Sequence, residues 1–298
     1  MFRRHAALLG LLALACDRKD PTPAPVTSAS VVASAAPPPS ASVRVAETPD
    51  AAPPPKPTGC PEDMVRVEGE YCPVVLHRCI EHHPEYAARK DDPTVSERCL
   101  RYKEPARCFV DERREMSFCM DRYEYPNVKG ELPRVLVSWH QAKARCEKIG
   151  KRLCTEDEFN FACEGPDILP HVYGFVRDPE KCNIDKPYVQ PDHSRQMLTY
   201  DDCLKTDWCA AEMKRLDKRH AIGSTETCVS WAGVVDLNGN INEWVELPGQ
   251  KPPNRSGLKG GWYGPVRNRC RPTVKFHKEA DYGYEAGFRC CKDVADGG

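Results

Sequence analysis

Apolar residues in the larger part of this chain occur in short runs that Gly, Asn, Asp or Pro interrupts every few positions. Such a pattern predicts many loops and few long regular elements. Around residues 65–67 the alternation of Val and Arg predicts a short strand that leads into a turn at Gly69. The expected fold class is therefore α+β, irregular and loop-rich.

Two segments carry helix signals. Ser138 and Gln141 form an S-x-x-Q capping box, and Gly150 would end the helix that follows. A second box begins at Thr155, and the helix it opens would stop by Gly165. These are the only elements whose two ends the sequence marks.

The N-terminal segment resembles an export signal. Residues 1–15 combine a basic start with an apolar run too short to span a bilayer. The run ends in Ala-Leu-Ala before Cys16, as in a bacterial lipobox, so we expect Cys16 to be lipidated and to anchor the protein to a membrane. An ordinary signal peptide cleaved nearby is the alternative. Either reading predicts export, and with the lipid anchor we expect the protein at the bacterial cell envelope, on its periplasmic or surface face.

The composition of residues 16–298 divides them into three segments. Residues 16–59 are mainly Pro, Ala, Ser, Thr and Val, which predicts a disordered linker. Aromatic, charged and cysteine residues fill 60–292, the predicted folded domain, and 293–298 form a tail. The net charge of −1 offers no general basic field for nucleic acid.

The chain has 17 cysteines, a number typical of disulfide-rich exported proteins. If Cys16 carries lipid, an even number remains, but spacing alone does not give the connectivity. Cysteines in 72–119 are too widely spaced for a typical zinc site, so disulfides are expected there.

Six motifs then occur in one order between residues 64 and 291. They are FCMDRYEYPN (118–127), VSWHQA (137–142) with GKRLCTEDEF (150–159), YG (173–174), GVVDLNGNINEW (233–244), KGGW (259–262) and GFRC (287–290). Together they resemble the formylglycine-generating-enzyme, or sulfatase-modifying-factor, family. The resemblance implies a C-type-lectin-like fold, with 72–119 as a cysteine-rich insertion.

The family's aerobic enzymes are similar in binding Cu(I) between two cysteine thiolates, soft ligands that select this ion. Here the corresponding stretch contains a single cysteine, Cys270. In an ungapped register Cys270 takes the place of the second catalytic cysteine and Pro265 that of the first. In a gapped register, which we favour, Cys270 is structural and pairs with Cys146. Both registers lose a thiolate, so copper is not expected.

The resemblance also implies other disulfides and calcium. Cys119 is expected to pair with Cys290 or Cys291. The 240–243 turn resembles a family calcium site, with Asn240, Ile241 and Glu243 as ligands and Asp236 and Asn238 as possible helpers, because oxygen donors suit a hard cation. A second calcium site would use Asn183 and Ile184. Calcium would have a structural role.

Two further interpretations concern iron and ligand binding. His77, Glu81, His82 and His83 could suggest a 2-His-1-carboxylate iron site. The family's iron enzymes use an additional helical domain that has no room here, so a polar surface helix held by Cys79 is preferred.

In the family, substrate lies in a groove that Trp262, Tyr263 and Arg267 would border, although aromatic residues there could equally close the core. We therefore expect a non-catalytic, calcium-braced module that binds an envelope protein, peptide or glycan. The alternative is an oxidoreductase of the formylglycine-generating or non-haem-iron type, acting on a protein cysteine or small thiol.

Overall fold

The structure is a computed structural model that describes residues 59–92 and 95–295. The predicted signal peptide, Cys16 and the linker up to residue 58 lie outside the described residues. In chain order the elements are β1 (Met64–Tyr71), β2 (Val75–Leu76), β3 (Cys79–His82), α1 (Pro84–Ala87), β4 (Cys99–Tyr102), β5 (Arg107–Cys108), β6 (Arg114–Asp121), α2 (Trp139–Lys148), β7 (Arg152–Leu153), α3 (Glu156–Glu164), α4 (Tyr200–Cys203), α5 (Asp207–Leu216), β8 (Asn242–Glu246), β9 (Ser256–Lys259), β10 (Ala286–Gly287) and β11 (Cys290–Asp293). The α+β, loop-rich fold class is confirmed.

The main sheet has the order β1-β6-β11-β7, and all its pairs are antiparallel. The predicted strand at 65–67 exists, but it does not turn at Gly69. Gly69 continues the ladder opposite Met116 with φ +141°, and a Cβ there would lie 3.4 Å from the ring of Phe161. The glycine therefore supplies a positive φ inside the strand instead of reversing the chain, and a Cβ there would make only ordinary van der Waals contact with α3.

Both predicted helices are confirmed with their capping boxes. The hydroxyl of Ser138 accepts a hydrogen bond from the Gln141 amide, and that of Thr155 accepts one from the Glu158 amide. Every residue from Glu158 to Glu164 is buried, because α3 lies inside the molecule. Phe159 and Phe161 on α3 pack into one core cluster with Val67 of β1.

A second sheet, β10-β8-β9, supports the C-terminal half. The indole Nε1 of Trp244 on β8 donates to the carbonyl of Val137 at 2.8 Å, and that of Trp139 on α2 donates to the carbonyl of Val245 at 3.1 Å. These reciprocal bonds fix α2 against β8 while burying both rings.

The predicted insertion, 72–119, contains two small ladders, β2–β5 and β3–β4, but its last residues, from Arg114, belong to β6 of the main sheet, so the name is used below for the part before β6. The predicted surface helix at Cys79 is wrong, because residues 79–82 form β3, which pairs with β4. The helix α1 starts only at Pro84, whose fixed φ and missing N–H suit a first helical turn. None of the described helices has the length and apolar character needed to cross a bilayer.

Eight disulfides join all 16 cysteines in the described part of the chain. The pairs are 60–119, 72–108, 79–99, 146–290, 154–291, 163–270, 182–228 and 203–209. Such a density is consistent with an extracytoplasmic domain, since disulfides persist in oxidising compartments.

Candidate functional site

Cys270 is bonded to Cys163, and both side chains are fully buried. Cys163 belongs to α3, and Cys270 follows the turn formed by residues 260–268. The Asn238 amide lies 3.3 Å from the Cys163 sulfur and 4.0 Å from that of Cys270. Because a disulfide sulfur is not a thiolate, Cys270 in this state offers no ligand for Cu(I).

The predicted Cys146–Cys270 pair is wrong. Cys146 on α2 bonds Cys290, and these two residues share a core cluster with Leu153. Cys163 and Cys270 lie together in the other cluster, around Phe159 and Phe161. Cys270 thus forms a disulfide inside the core, but its partner is Cys163, because α3 and not α2 lies beside the 260–270 segment.

The predicted partners of Cys119 are also wrong. Cys119 bonds Cys60, while Cys291 bonds Cys154. In the β6–β11 ladder Cys119 lies opposite Lys292 and Met120 opposite Cys291. Since successive strand residues point to opposite faces, Cys119 and Cys291 project from different sides of the sheet. Cys290 is already held by α2.

The turn at 260–268 is closed and packed. Gly261 has φ +75°, and a Cβ there would approach the Arg267 backbone to 2.8 Å, so only glycine fits. Trp262 is 9% exposed and Tyr263 2% exposed. The Tyr263 hydroxyl donates to the carbonyl of Leu216 at 2.7 Å, and burial raises its pKa above the ordinary range.

The prediction that Trp262 and Tyr263 border an open groove is therefore wrong, because both rings close the core. Arg267 is half-buried, and its guanidinium lies 5.5 Å from the centre of the Phe276 ring. The second possibility for these aromatic side chains, that they complete the hydrophobic core, is the one realised.

An open cleft does border the same turn, on its other side. It has a volume of about 450 Å³. Pro265 and Val266 form one wall, and the insertion forms the other with the side chains of Glu85, Tyr86, Ala88, Arg89, Val95, Ser96 and Arg98. The cleft thus combines apolar groups with charged groups of both signs.

Asp185 ties the two walls together. Its carboxylate accepts from Arg98 of the insertion at 2.8 Å and from Arg177 at 2.8 and 2.9 Å. Arg177 also donates to the Asn268 side chain at 2.6 Å and to the carbonyl of Pro265 at 3.0 Å. These bonds hold the pKa of Asp185 below its ordinary value, against the opposing effect of burial. Charge-assisted bonds of this kind fix the shape of the cleft.

A buried acidic cluster lies elsewhere, around the start of β8. Glu124, Asp236 and Glu243 are at most 3% exposed, and one cation, Arg289, accompanies them. Arg289 donates to both carboxylate oxygens of Glu243, at 2.6 and 2.7 Å. Burial and the neighbouring carboxylates raise the pKa of Glu124 well above its ordinary value, and burial raises that of Asp236 to about 6.

The structure brings the two predicted calcium segments into contact. The Asn240 amide N–H donates to the Asn183 carbonyl at 2.9 Å, and the side chains of Asn183 and Asn240 are bonded at 2.9 Å. The Asn240 side chain in turn donates to Glu124 at 2.7 Å. Ile184 and Ile241 are fully buried beside them. The two predicted segments therefore form one contiguous cluster of polar groups.

Calcium fits part of this donor set. Asn183 Oδ1 and Glu124 Oε1 are buried oxygens without a hydrogen-bond partner. The carbonyl oxygen of Lys218 accepts a hydrogen bond from the Asn183 side chain, and that of His220 accepts one from the Asn240 side chain. All of these are hard oxygen donors, as calcium requires. The predicted ligand Glu243, in contrast, is already engaged by Arg289.

The histidines near Cys79 do not assemble into an iron site. His77 contacts the carbonyl of Ile168 at 2.8 Å, His83 caps α1, and Glu81 pairs with Arg101. Among the residues described, the only cluster of three His, Cys, Asp or Glu side chains that could hold a metal ion is Cys79, His82 and Glu97, and Cys79 is in a disulfide.

A known protein family and two curated relatives resemble this chain. The family profile described as "Sulfatase-modifying factor enzyme 1-like domain" matches residues 83–294. The "Inactive C-alpha-formylglycine-generating enzyme 2" of Bos taurus is 29% identical over 54% of this chain and 50% of its own length. The protein of the same name in Mus musculus is 29% identical over 56% of this chain and 51% of its own. The chain thus spans about half the length of these curated relatives.

Two solved structures are also similar. CarF gives a TM-score of 0.48 at 14% identity, over 79% of this chain and 99% of its own. PvdO from Pseudomonas aeruginosa gives 0.45 at 15% identity, over 80% and 100%.

Sequence reasoning missed three functional features. It did not find Cys163 as the partner of Cys270, Arg289 as the ion-pair partner of Glu243, or the insertion as one wall of the cleft. Arg289 stands in the GFRC motif, so an arginine inside a recognised motif was the signal available in the sequence.

Proposed function

Because the chain belongs to the sulfatase-modifying-factor family, we propose that it is a non-catalytic member, exported and anchored by lipid at Cys16, which binds a ligand at the cell envelope. The observation that carries this proposal is the buried Cys163–Cys270 disulfide. The family's copper chemistry needs two thiolates, and every cysteine in the described residues is already paired. The names of the two mammalian relatives, which call those proteins inactive, agree with it.

Oxygen consumption tests the loss of catalysis. The purified chain is mixed with Cu(I) and a peptide containing C-x-P-x-R, and oxygen uptake and aldehyde formation are followed. We expect neither. A disulfide map by mass spectrometry should show the peptide of Cys270 linked to that of Cys163. A free Cys270 thiol that binds Cu(I) stoichiometrically would contradict the proposal.

The cleft between the insertion and the turn at 265–266 is the proposed binding site. Tyr86, Val95 and Val266 offer apolar surface for a peptide or glycan. The exposed Arg89 offers N–H donors for its acidic or hydroxyl groups, whereas Arg98 is already paired with Glu85 and Asp185. Tyr86→Ala should abolish binding of the cognate envelope ligand in a pull-down followed by mass spectrometry, whereas Lys251→Ala, far along the chain and exposed, should not. Equal recovery with both variants would remove the cleft from the proposal.

The second part of the proposal is a structural calcium ion where the segments of Asn183 and Asn240 meet. Two unpaired buried oxygens and a surplus of carboxylates over guanidinium groups support a cation there. Calcium should raise the melting temperature of the chelator-treated protein, and Asn183→Ala should remove that increase. A control variant, Glu68→Gln, alters an exposed carboxylate and should respond to calcium as the unmodified protein does. An identical response of Asn183→Ala would refute the site.

Lipid anchoring is tested separately. Metabolic labelling with a radioactive fatty acid should mark the protein, and Cys16→Ser should lose both the label and the membrane association. The eight disulfides agree with an oxidising compartment, since so many thiols would not stay paired in a reducing one.

A further inference from the structure

The insertion carries a second concave site, at the end of the β3–β4 ladder away from the cleft. It is a pocket of about 150 Å³, lined by Leu76, Arg78, Lys103, Pro105 and Arg107. Three of its five lining residues are cations, and no acid lines it. The nearest acid in sequence, Glu104, is not part of the wall.

These three cations have no counter-charge of their own. Arg78, Lys103 and Arg107 are exposed, and within residues 59–92 and 95–295 none of them forms an ion pair. Other arginines of the insertion are paired, for example Arg101 with Glu81 and Arg98 with Glu85 and Asp185. Three like charges around one small pocket repel one another, so a bound anion would stabilise the arrangement.

The backbone that presents the three cations is cross-linked. The amide of Lys103 donates to the carbonyl of Arg78 at 2.8 Å, and Arg107 lies opposite Leu76 in the β2–β5 ladder. Disulfides 72–108 and 79–99 join the same two stretches of chain on either side of the pocket. The cationic side chains therefore project from a frame that needs no ordering when an anion binds, which lowers the entropic cost of binding.

We propose that Arg78, Lys103 and Arg107 bind a phosphate monoester. Guanidinium groups match the oxygens of such an anion with paired N–H donors, and a lysine adds a point charge. The volume accommodates a tetrahedral oxyanion and leaves its ester substituent outside, against Leu76 and Pro105. Because the pocket shares no residue with the cleft, its failure would leave the proposed function intact.

Calorimetric titration of the Cys16→Ser chain, in which no acyl group contributes, tests this site. Inorganic phosphate and glucose 6-phosphate should bind, and glucose should not. Added salt should weaken binding. The triple variant Arg78→Gln/Lys103→Gln/Arg107→Gln should bind at least roughly tenfold more weakly, because each lost charged contact is typically worth a factor of that order. Lys251→Gln, which removes an exposed lysine elsewhere, is the matched control.

The source of the monoester is distinguished by vesicles. Phosphatidylcholine vesicles with and without phosphatidic acid are sedimented with the same Cys16→Ser proteins. Sedimentation that requires phosphatidic acid and is lost in the triple variant assigns the anion to a lipid headgroup, and binding of glucose 6-phosphate alone assigns it to a soluble or glycan-linked ester. Absence of binding to every phosphate probe, or binding that the triple variant retains, would overturn the proposal.

Discussion

The sulfur atoms of Cys163 and Cys270 are bonded in the core, between α3 and the segment that follows the Gly260–Gly261 turn. The two residues are 107 positions apart in the chain. This cross-link occupies the one cysteine that could have served copper chemistry, and it also closes a long loop. It should therefore contribute to stability as well as exclude catalysis.

Replacing both residues, Cys163→Ala/Cys270→Ala, should lower the free energy of unfolding by roughly 3–5 kcal/mol, because the loop is long even after other cross-links shorten it. Urea denaturation monitored by tryptophan fluorescence measures the change. Cys203→Ala/Cys209→Ala is the matched control, since that disulfide closes a separation of only 6 residues and both side chains are equally buried. Its loss should cost roughly 2 kcal/mol by the same relation. An equal loss in the two double variants would contradict the loop-length interpretation.

Asp185 should control the docking of the insertion. Asp185→Asn keeps the size and the left-handed backbone, φ +60°, which asparagine tolerates, but removes the charge shared by Arg98 and Arg177. We expect a loss of roughly 1–3 kcal/mol, because both guanidinium groups are largely buried, and faster amide hydrogen exchange in β3 and β4.

Glu81→Gln is the control for that measurement. Its pair with Arg101 is about half exposed on both sides, so its loss should change stability by less than about 1 kcal/mol. If β4 exchanged no faster in Asp185→Asn than in Glu81→Gln, Asp185 would not be the residue that fixes the insertion.

Arg289 balances the acidic cluster at the start of β8. Arg289→Met leaves Glu243, Glu124 and Asp236 without their guanidinium partner, so the free energy of unfolding should fall by roughly 3–5 kcal/mol at neutral pH. Adding Glu243→Gln in the same chain should recover part of the loss in thermal denaturation, because one uncompensated charge is then removed. No recovery would mean that packing, not charge, explains the effect.

The local elements of this fold were predictable from sequence because their signals are local. The capping boxes at Ser138 and Thr155 specify two helices through side chains three residues apart. The continuation of β1 through Gly69 was not predictable, since a glycine with a positive φ inside a ladder and a glycine that reverses the chain have the same signal in the sequence.

The candidate site also has features that were predictable from sequence and features that were not. The absence of a second cysteine near Cys270 is readable in the sequence, and the contact between the Asn183 and Asn240 segments was not, because it depends on how the intervening residues fold. The predicted disulfide partners were wrong for a physical reason. Cys146 and Cys163 lie on different helices with similar signals, and only packing decides which helix faces Cys270.

Lys259 should give the protein a distinctive dependence on pH. Its ammonium is fully buried and bonds Asn160 Oδ1 at 2.6 Å, the Arg271 carbonyl at 2.8 Å and Thr273 Oγ1 at 3.2 Å. Burial lowers its pKa from 10.5 to about 7, despite the nearby carboxylate of Glu156. Between pH 7 and 10 the unfolded chain therefore binds the proton more strongly than the folded one, and stability rises with pH.

From pH 7 to pH 9 this gain should be roughly 2 kcal/mol in urea denaturation. Lys259→Met, which has no titrating group, should lack the rise, although its stability at pH 7 also reflects the lost hydrogen bonds. Lys275→Met, an exposed lysine near the same Glu156, should keep it. A parallel pH profile for the unmodified protein and Lys259→Met would show that Lys259 keeps an ordinary pKa inside the core.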